Sequence, residues 1–162
     1  GGVWRFLENI DLPSVDLVEA HSVDLDGSGT DDLAIFGSDR FVWMPVGIDD
    51  EVLRPVSSWE SDLEGVDYQL LGVGDLDADG SPEVVAVDTR DSHVLEVFRP
   101  ADNGKWTSLL HFTVFEVDAH YEGQRGAVNQ PREIVIADLT NDGLDDLVLV
   151  VHDRILLYPQ SN

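Results

Sequence analysis

The sequence contains no cysteine and only nine lysine and arginine residues among its 162 residues. Without cysteine, the chain has neither a disulfide nor a cysteine nucleophile. No stretch approaches the roughly 20 consecutive apolar residues of a membrane span, and the Gly-Gly start is unlike a signal peptide. We therefore expect no membrane insertion, and secretion would require a signal that lies outside this sequence.

Acidic residues greatly outnumber basic ones, with 33 aspartates and glutamates and a formal net charge of -24. Such a charge repels nucleic acid and anionic membranes, so neither is an expected partner. The apolar fraction of 43% is sufficient for one sizeable core. The sequence therefore predicts a single acidic module that spans residues 1–162.

Sequence signatures of catalysis are also missing. There is no activated-serine elbow, no zinc-binding HExxH motif and no phosphate-binding loop. The five histidines are scattered along the chain. These absences favour a structural or binding protein over an enzyme.

One acidic stretch occurs three times, as DLDGSGTDDLAIF from Asp24, DLDADGSPEVVAV from Asp75 and DLTNDGLDDLVLV from Asp138. Each copy carries oxygen-bearing side chains at positions 1, 3, 5 and 9, with glycine at position 4 or 6. Alternate residues of a tight loop can direct roughly six to eight oxygens at one calcium ion, and glycine permits the turn. The pattern predicts up to three Ca²⁺ sites per chain, with the backbone carbonyl of position 7 as a further ligand. The predicted ligands are Asp24, Asp26, Ser28, Thr30 and Asp32 in the first loop, Asp75, Asp77, Asp79, Ser81 and Glu83 in the second, and Asp138, Thr140, Asp142, Leu144 and Asp146 in the third.

Solvated acidic turns without a metal are the alternative interpretation. Two carboxylates about 4 Å apart repel by roughly 4 kcal/mol at an effective dielectric constant near 20, so converging carboxylates favour a bound cation. An EF-hand would need an acid at position 12 and flanking helices, whereas position 12 is Ile35, Ala86 or Leu149 here. Because Ser28 and Thr140 are weaker ligands than carboxylates, the second site is predicted to bind calcium most tightly.

The segments around each loop predict four-stranded antiparallel meanders. A strand ending in a small or modest residue precedes each loop, and a strand that is apolar on both faces follows it. A third strand then ends at Pro45, Pro100 or Pro159, because proline is confined to strand edges and ends. An Asn-Gly turn introduces a fourth strand, KWTSLLHFTV. The three repeats lie at about 13–58, 66–118 and 132–159, with their loops 51 and 63 residues apart, and periods of this size are typical of propellers or solenoids.

The N-terminal segment resembles the predicted fourth strand. Residues 2–12 align with it so that Trp4 matches Trp106. We interpret this segment as a displaced fourth strand. The total is then 12 strands, which is enough for three four-stranded blades. Trp4, Trp43, Trp106 and Tyr158 recur at corresponding strand positions, and we predict that they pack between blades rather than form a ligand cage.

The loops and the blade pattern together resemble the FG-GAP or VCBS repeats, which occur in integrin alpha-chain propellers and in many secreted bacterial proteins. The segments GVGDLDADG and IADLTNDGLDDLVLV carry the resemblance most closely, and it covers nearly the whole chain. The resemblance implies an all-β fold of β-propeller blades with calcium between the first and second strands of a blade. It also implies an extracellular or cell-surface location, and adhesion or ligand binding more often than catalysis.

Three blades are fewer than the four to eight that close a propeller. The chain is therefore expected to be a partial propeller or half of a six-bladed ring. The first and last predicted strands are complementary edges that invite pairing with another chain. Three arrangements stay open, namely a piece of a longer propeller, a head-to-tail homo-oligomer or filament, and a self-capped monomer.

The end of the blades opposite the acidic loops is the predicted recognition surface, because basic residues such as Arg40 and Arg90 lie in its turns. The connection over residues 119–132 is the longest irregular polar segment of the chain. We predict that it binds a protein or glycan ligand. The candidate ligand-binding residues are His120, Tyr121, Arg125 and Arg132.

Two alternatives apply to this surface. The arginines can pair with neighbouring acids, as Arg40 can with Asp39, and the long connection can be an ordinary linker between blades. His120, Tyr121 and Arg125 also keep open a second function, that of a polysaccharide-binding or polysaccharide lyase-type propeller enzyme.

Overall fold

The computed structural model describes residues 17–45, 57–90, 92–100, 105–114, 130–151 and 154–161, together with the single residues 9 and 11. These ranges contain only strands, turns and loops, which confirms the predicted all-β fold. The strands are β1 (Leu17–Val23), β2 (Asp32–Gly37), β3 (Arg40–Met44), β4 (Ser57–Glu60), β5 (Leu70–Gly74), β6 (Glu83–Val87), β7 (Val94–Pro100), β8 (Trp106–Thr113), β9 (Glu133–Ala137), β10 (Asp146–Val151) and β11 (Arg154–Tyr158).

The strands form three antiparallel sheets in which sequence neighbours pair. Sheet 1 has the order β1-β2-β3-β4, sheet 2 has the order β5-β6-β7-β8, and sheet 3 has the order β9-β10-β11. The predicted meanders are therefore present, and across the described residues the sheets do not close into a ring. The displaced fourth strand predicted at residues 2–12 lies outside the described residues.

The acidic loops connect the first and second strands of each sheet, as predicted. β1, β5 and β9 end at Val23, Gly74 and Ala137, one residue before each loop begins. β2, β6 and β10 pair on both of their edges, and all five residues of β6 are buried. The apolar character of β6 on both faces follows from its position, because sheet 1 packs against one face of sheet 2 and sheet 3 against the other.

Sheet 1 packs against sheet 2 through aromatic side chains. The ring of Phe41, which is fully buried, stacks on Phe98 with 5.3 Å between centroids and meets Trp106 edge-on at 4.4 Å. Trp43 and Trp106 are 8% and 7% exposed. The prediction that these two tryptophans pack between blades is confirmed, while Trp4 lies outside the described residues.

Sheet 2 packs against sheet 3 through aliphatic side chains, including Val85, Leu95 and Leu149. The first strands of these two sheets, β5 and β9, lie very close together. A Cβ atom placed on Gly74 would be only 2.3 Å from Cγ2 of Ile136. The small residue predicted at the end of the strand is therefore required by the packing of two neighbouring sheets.

The other face of sheet 3 is apolar and exposed. Ile155 and Leu157 of β11 retain 67% and 49% of their accessible surface. They correspond to Leu95 and Val97 of sheet 2, which are 0% and 5% exposed because sheet 3 covers them. The outer face of sheet 3 is thus apolar in the same way as the face of sheet 2 that packs against sheet 3.

Candidate metal centre

The three acidic loops share one hydrogen-bonding scaffold. In the second loop, Oδ1 of Asp75 accepts from the amide of Asp79 at 3.1 Å, and Oδ2 accepts from the amide of Gly80 at 3.0 Å. Asp24 accepts in the same way from Ser28 and Gly29, and Asp138 from Asp142 and Gly143. The carboxylate at position 1 therefore fixes the curvature of every loop.

The backbone adopts the left-handed conformation at two positions of each loop. Position 6 is glycine in all three copies, with φ between 82° and 91°. Position 4 also has positive φ, and it is occupied by Gly27, Ala78 and Asn141. Glycine adopts this conformation without steric cost, which explains its invariance at position 6. Alanine and asparagine at position 4 show that the turn tolerates a side chain there.

The acid at position 9 is the most deeply buried acid of each loop. Asp32, Glu83 and Asp146 are 2%, 1% and 0% exposed. Each accepts a hydrogen bond from the amide at position 2 of its own loop, at distances of 3.2, 2.7 and 2.9 Å respectively. The start of the second strand is thereby tied to the start of the loop.

The structure gathers three carboxylates in each of the first two loops. Ligand atoms of Asp24, Asp26 and Asp32 lie within 4.8 Å of one another, and so do those of Asp75, Asp77 and Glu83. Among the described residues, the acids of the third loop do not form such a group. Two of the three predicted sites therefore have three of their predicted acidic ligands close together, while Asp79 is not part of the second group.

Glu83 is the group in these loops with the clearest need for a further partner. Its Oε2 accepts from Leu76, but Oε1 is buried and has no hydrogen-bond partner within the described part of the chain. Burial raises the pKa of Glu83 to about 7, and the charges of Asp77 and Asp79 add to the increase. The hydrogen bond from Leu76 has the opposite effect and lowers the pKa. An acceptor without a donor beside two carboxylates suits a cation that takes oxygen ligands. The second loop therefore fits calcium.

The third loop satisfies its buried acid differently. Oδ2 of Asp146 accepts from the amides of Leu139 and Thr140 at 2.9 and 3.0 Å, and Oδ1 accepts from Gln160 at 3.0 Å. Burial disfavours the ionised form of Asp146, but these amides hold its pKa below the usual value. Because amide donors already meet both oxygens, the third loop needs a cation less than the second does.

The first loop contains a contact that the sequence did not indicate. The indole Nε1 of Trp43 donates to Oδ2 of Asp32 at 2.9 Å. Trp43 thus both packs in the core and orients an acid of the predicted first site.

Asp24, the first acid of the same loop, accepts hydrogen bonds from the amides of Gly29 and Ser28. These bonds hold the pKa of Asp24 below its usual value, although desolvation opposes the decrease.

A basic residue also reaches the second loop. Nη1 of Arg99 lies 2.9 Å from Oδ2 of Asp77 and 4.0 Å from Oδ2 of Asp79. Arg99 is on β7, 22 residues from Asp77, and no motif in the sequence indicates this pairing. The guanidinium pairs with these carboxylates, and it competes with a metal ion for the same oxygens.

Replacing Arg99 with glutamine should tighten calcium binding at the second loop several-fold. The variant removes both a competitor for Asp77 and a positive charge that repels the ion. Isothermal titration with calcium tests this expectation, with Arg40→Gln as the matched control because Arg40 pairs with Asp39 and Glu60 instead. An affinity that falls in Arg99→Gln would show that the guanidinium holds the loop in its binding geometry rather than competing.

The turns at the opposite end of the sheets hold paired arginines. Arg40 donates to both carboxylate oxygens of Asp39, at 2.7 and 3.0 Å, which confirms the predicted pairing with a neighbouring acid. Arg90 pairs with Asp67 at 3.0 Å. Of the predicted ligand-binding residues, Arg132 lies at this end just before β9 and is exposed, whereas His120, Tyr121 and Arg125 lie outside the described residues.

Comparison with known families gives one match. Residues 75–149 match the family model described as an FG-GAP-like repeat. The matched range begins at the first acid of the second loop and ends within β10, so it includes the second and third loops. No curated protein matches the chain.

Proposed function

Because residues 75–149 form an FG-GAP-like repeat, we propose that this β-propeller-like module binds calcium through its acidic loops and serves a structural or ligand-binding role. The unpartnered Oε1 of Glu83 carries the proposal. It lies in a loop whose carboxylates already converge within 4.8 Å. A buried acceptor left without a partner costs about 1–3 kcal/mol, and a bound cation removes that cost.

The residues that would hold calcium in the second loop are Asp75, Asp77, Asp79 and Glu83, with the carbonyl of Ser81. In the first loop they are Asp24, Asp26, Ser28 and Asp32, with the carbonyl of Thr30. When bound, the ion would neutralise the converging carboxylates and cross-link the loop to the second strand of the sheet. The third loop is proposed as the weakest of the three sites, since amides satisfy Asp146.

We place the module outside the cell or on its surface. Calcium reaches millimolar concentrations there, which suits loops that rely on a few carboxylates. The net charge of -24 is consistent with a soluble surface that does not bind nucleic acid. The part of the chain that the structure describes offers no helix able to span a membrane.

We also propose that another chain or blade covers the outer face of sheet 3, as in self-assembly or adhesion. Its exposed Ile155 and Leu157 occupy positions that are buried in sheet 2. Large exposed apolar patches commonly mark interaction surfaces. We assign no catalytic role, and the polysaccharide lyase alternative depends on His120, Tyr121 and Arg125, which lie outside the described residues.

Calcium titration of the wild type and of Asp77→Asn tests the proposal. The variant removes one negative ligand from the second loop, so its affinity there should fall at least tenfold while the first loop is unaffected. Asp62→Asn is the matched control, because Asp62 is exposed and lies outside the loops. Equal calcium binding by Asp77→Asn and the wild type would refute the assignment of this loop.

A further inference from the structure

A cavity of about 260 Å³ lies between sheets 2 and 3, at the end opposite the acidic loops. Its walls are Gln69, Leu70, Thr89, Pro131 and Arg132. Gln69, Leu70 and Thr89 come from the ends of β5 and β6, and the other two residues directly precede β9. The cavity is smaller than the roughly 300–1,000 Å³ of pockets for drug-sized ligands, so it suits a molecule on the order of one sugar ring.

Hydrogen bonds hold the polar wall of the cavity in place. Oε1 of Gln69 accepts from both the amide and the hydroxyl of Thr89, at 2.9 and 3.0 Å. The carbonyl of Thr89 accepts from the amide of Gln130 at 2.9 Å, and the amide of Arg132 donates to Val150 at 2.8 Å. The bond from Gln130 to Thr89 connects sheet 2 to the segment that enters sheet 3, and the other bonds hold each side of the cavity to its own sheet.

Arg132 lines the cavity and brings a positive charge that no acid of the described residues pairs with. Within the described ranges, Arg40, Arg90 and Arg99 each pair with aspartate, whereas the guanidinium of Arg132 has no carboxylate within ion-pair distance. An unpaired guanidinium is unexpected in a chain with 33 acidic residues. Its planar fork matches a carboxylate in a bidentate arrangement.

The remaining surfaces of the cavity suit a hydroxylated ring. Leu70 and Pro131 contribute apolar surface, and Pro131 is buried. Gln69 and Thr89 contribute polar atoms to the same cavity. The hydroxyl groups of such a ring can form hydrogen bonds with them.

We propose that this cavity binds a monocarboxylate that carries hydroxyl groups and has the size of one sugar ring, that is, a hexuronate. Arg132 binds the carboxylate, the Gln69 and Thr89 wall faces the hydroxyl groups, and Leu70 and Pro131 contact the apolar face of the ring. The proposal rests on the ligand-binding role proposed above and specifies its ligand. The hexuronate can be a free sugar acid or one residue of an acidic glycan.

Nuclear magnetic resonance titration of the ¹⁵N-labelled chain in saturating calcium tests the proposal, with glucuronate and glucose as probes. We expect saturable shifts for amides of Gln69, Thr89 and Arg132 with glucuronate, at a dissociation constant on the order of 1 mM. Glucose, which has the same ring without the carboxylate, should bind at least tenfold more weakly. Arg132→Gln should weaken glucuronate binding at least tenfold, because it removes a charge-assisted hydrogen bond. The control is Arg40→Gln, which makes the same charge change on sheet 1 and should bind like the wild type.

Equal binding of glucose and glucuronate, or unchanged binding by Arg132→Gln, would overturn the proposal. An oligouronate is titrated as a third probe. The absence of shifts with both glucuronate and the oligouronate, up to about 50 mM, would overturn the proposal as well. Binding of both glucuronate and the oligouronate assigns the site to free or terminal acids, and binding of the oligouronate alone assigns it to residues within a glycan. Calcium affinity of Arg132→Gln, measured in parallel, should equal that of the wild type, so failure of this site is distinguished from failure of the calcium sites.

Discussion

Removal of calcium with a chelator should lower the midpoint of thermal unfolding by roughly 10–20 °C. A ligand that binds only the folded state stabilises it by about 2.7 kcal/mol when its free concentration is 100 times the dissociation constant. The two loops with assembled carboxylates would together contribute about 5 kcal/mol under these conditions. For a domain of this size, each 1 kcal/mol corresponds to about 2–4 °C.

General screening of charge must be separated from this effect. A chain with a net charge of -24 repels itself, so any salt increases its stability to some extent. Melting curves in calcium and in chelator are therefore compared at one ionic strength, set with sodium chloride. A midpoint that is the same in both conditions would contradict calcium stabilisation.

Replacement of Gly74 by alanine should lower the free energy of unfolding by about 3 kcal/mol, the upper end of the range for overpacked cores. The added methyl group would lie 2.3 Å from Cγ2 and 3.1 Å from Cβ of Ile136. Both atoms are close to the backbone of β9, and the β-branched side chain has little rotamer freedom. Relief therefore requires sheets 2 and 3 to move apart, which weakens the aliphatic core between them.

A double-mutant cycle tests whether this contact is the cause. Ile136→Ala removes the atom that clashes, at the cost of a cavity. Gly74→Ala combined with Ile136→Ala should therefore be less destabilised than the sum of the two single variants, by at least 1 kcal/mol. Additive losses in urea unfolding would show that Gly74 matters for another reason, such as its backbone conformation.

Much of the fold follows from patterns that are local in the sequence. Apolar runs, turn residues and proline positions predicted three meanders, and the strands end at Val23, Gly74 and Ala137 as expected. The acidic spacing also placed Asp24, Asp26 and Asp32 in one group. Repetition made these predictions possible, because each copy of the loop indicates the geometry of the others.

Contacts between distant segments were not predictable in this way. Arg99 on β7 reaches Asp77 in the loop before the neighbouring strand β6, and the indole of Trp43 on β3 reaches Asp32 at the start of the neighbouring strand β2. Nothing in the local spacing distinguishes Arg99 from an ordinary exposed arginine. The difference between the second and third loops has a similar origin, since Gln160, 14 residues away, donates to Asp146.

The cavity beside Arg132 also depends on distant contacts. Arg132 was a candidate because it ends a long polar connection, whereas Gln69 and Thr89, which line the same cavity, directly precede β5 and follow β6 of another sheet. Their juxtaposition arises from the stacking of sheets 2 and 3. A residue type can thus be singled out from the sequence, while the chemistry of the site requires the packed structure.

A native mass spectrum of the chain equilibrated with calcium tests the central claim most directly, because it counts ions and chains together. We predict at least two calcium ions per chain, and the loss of one in Asp77→Asn but not in Asp62→Asn. A third ion that appears only at higher calcium concentration would correspond to the loop of Asp138. A spectrum with no calcium retained above the level of a magnesium control would contradict the account.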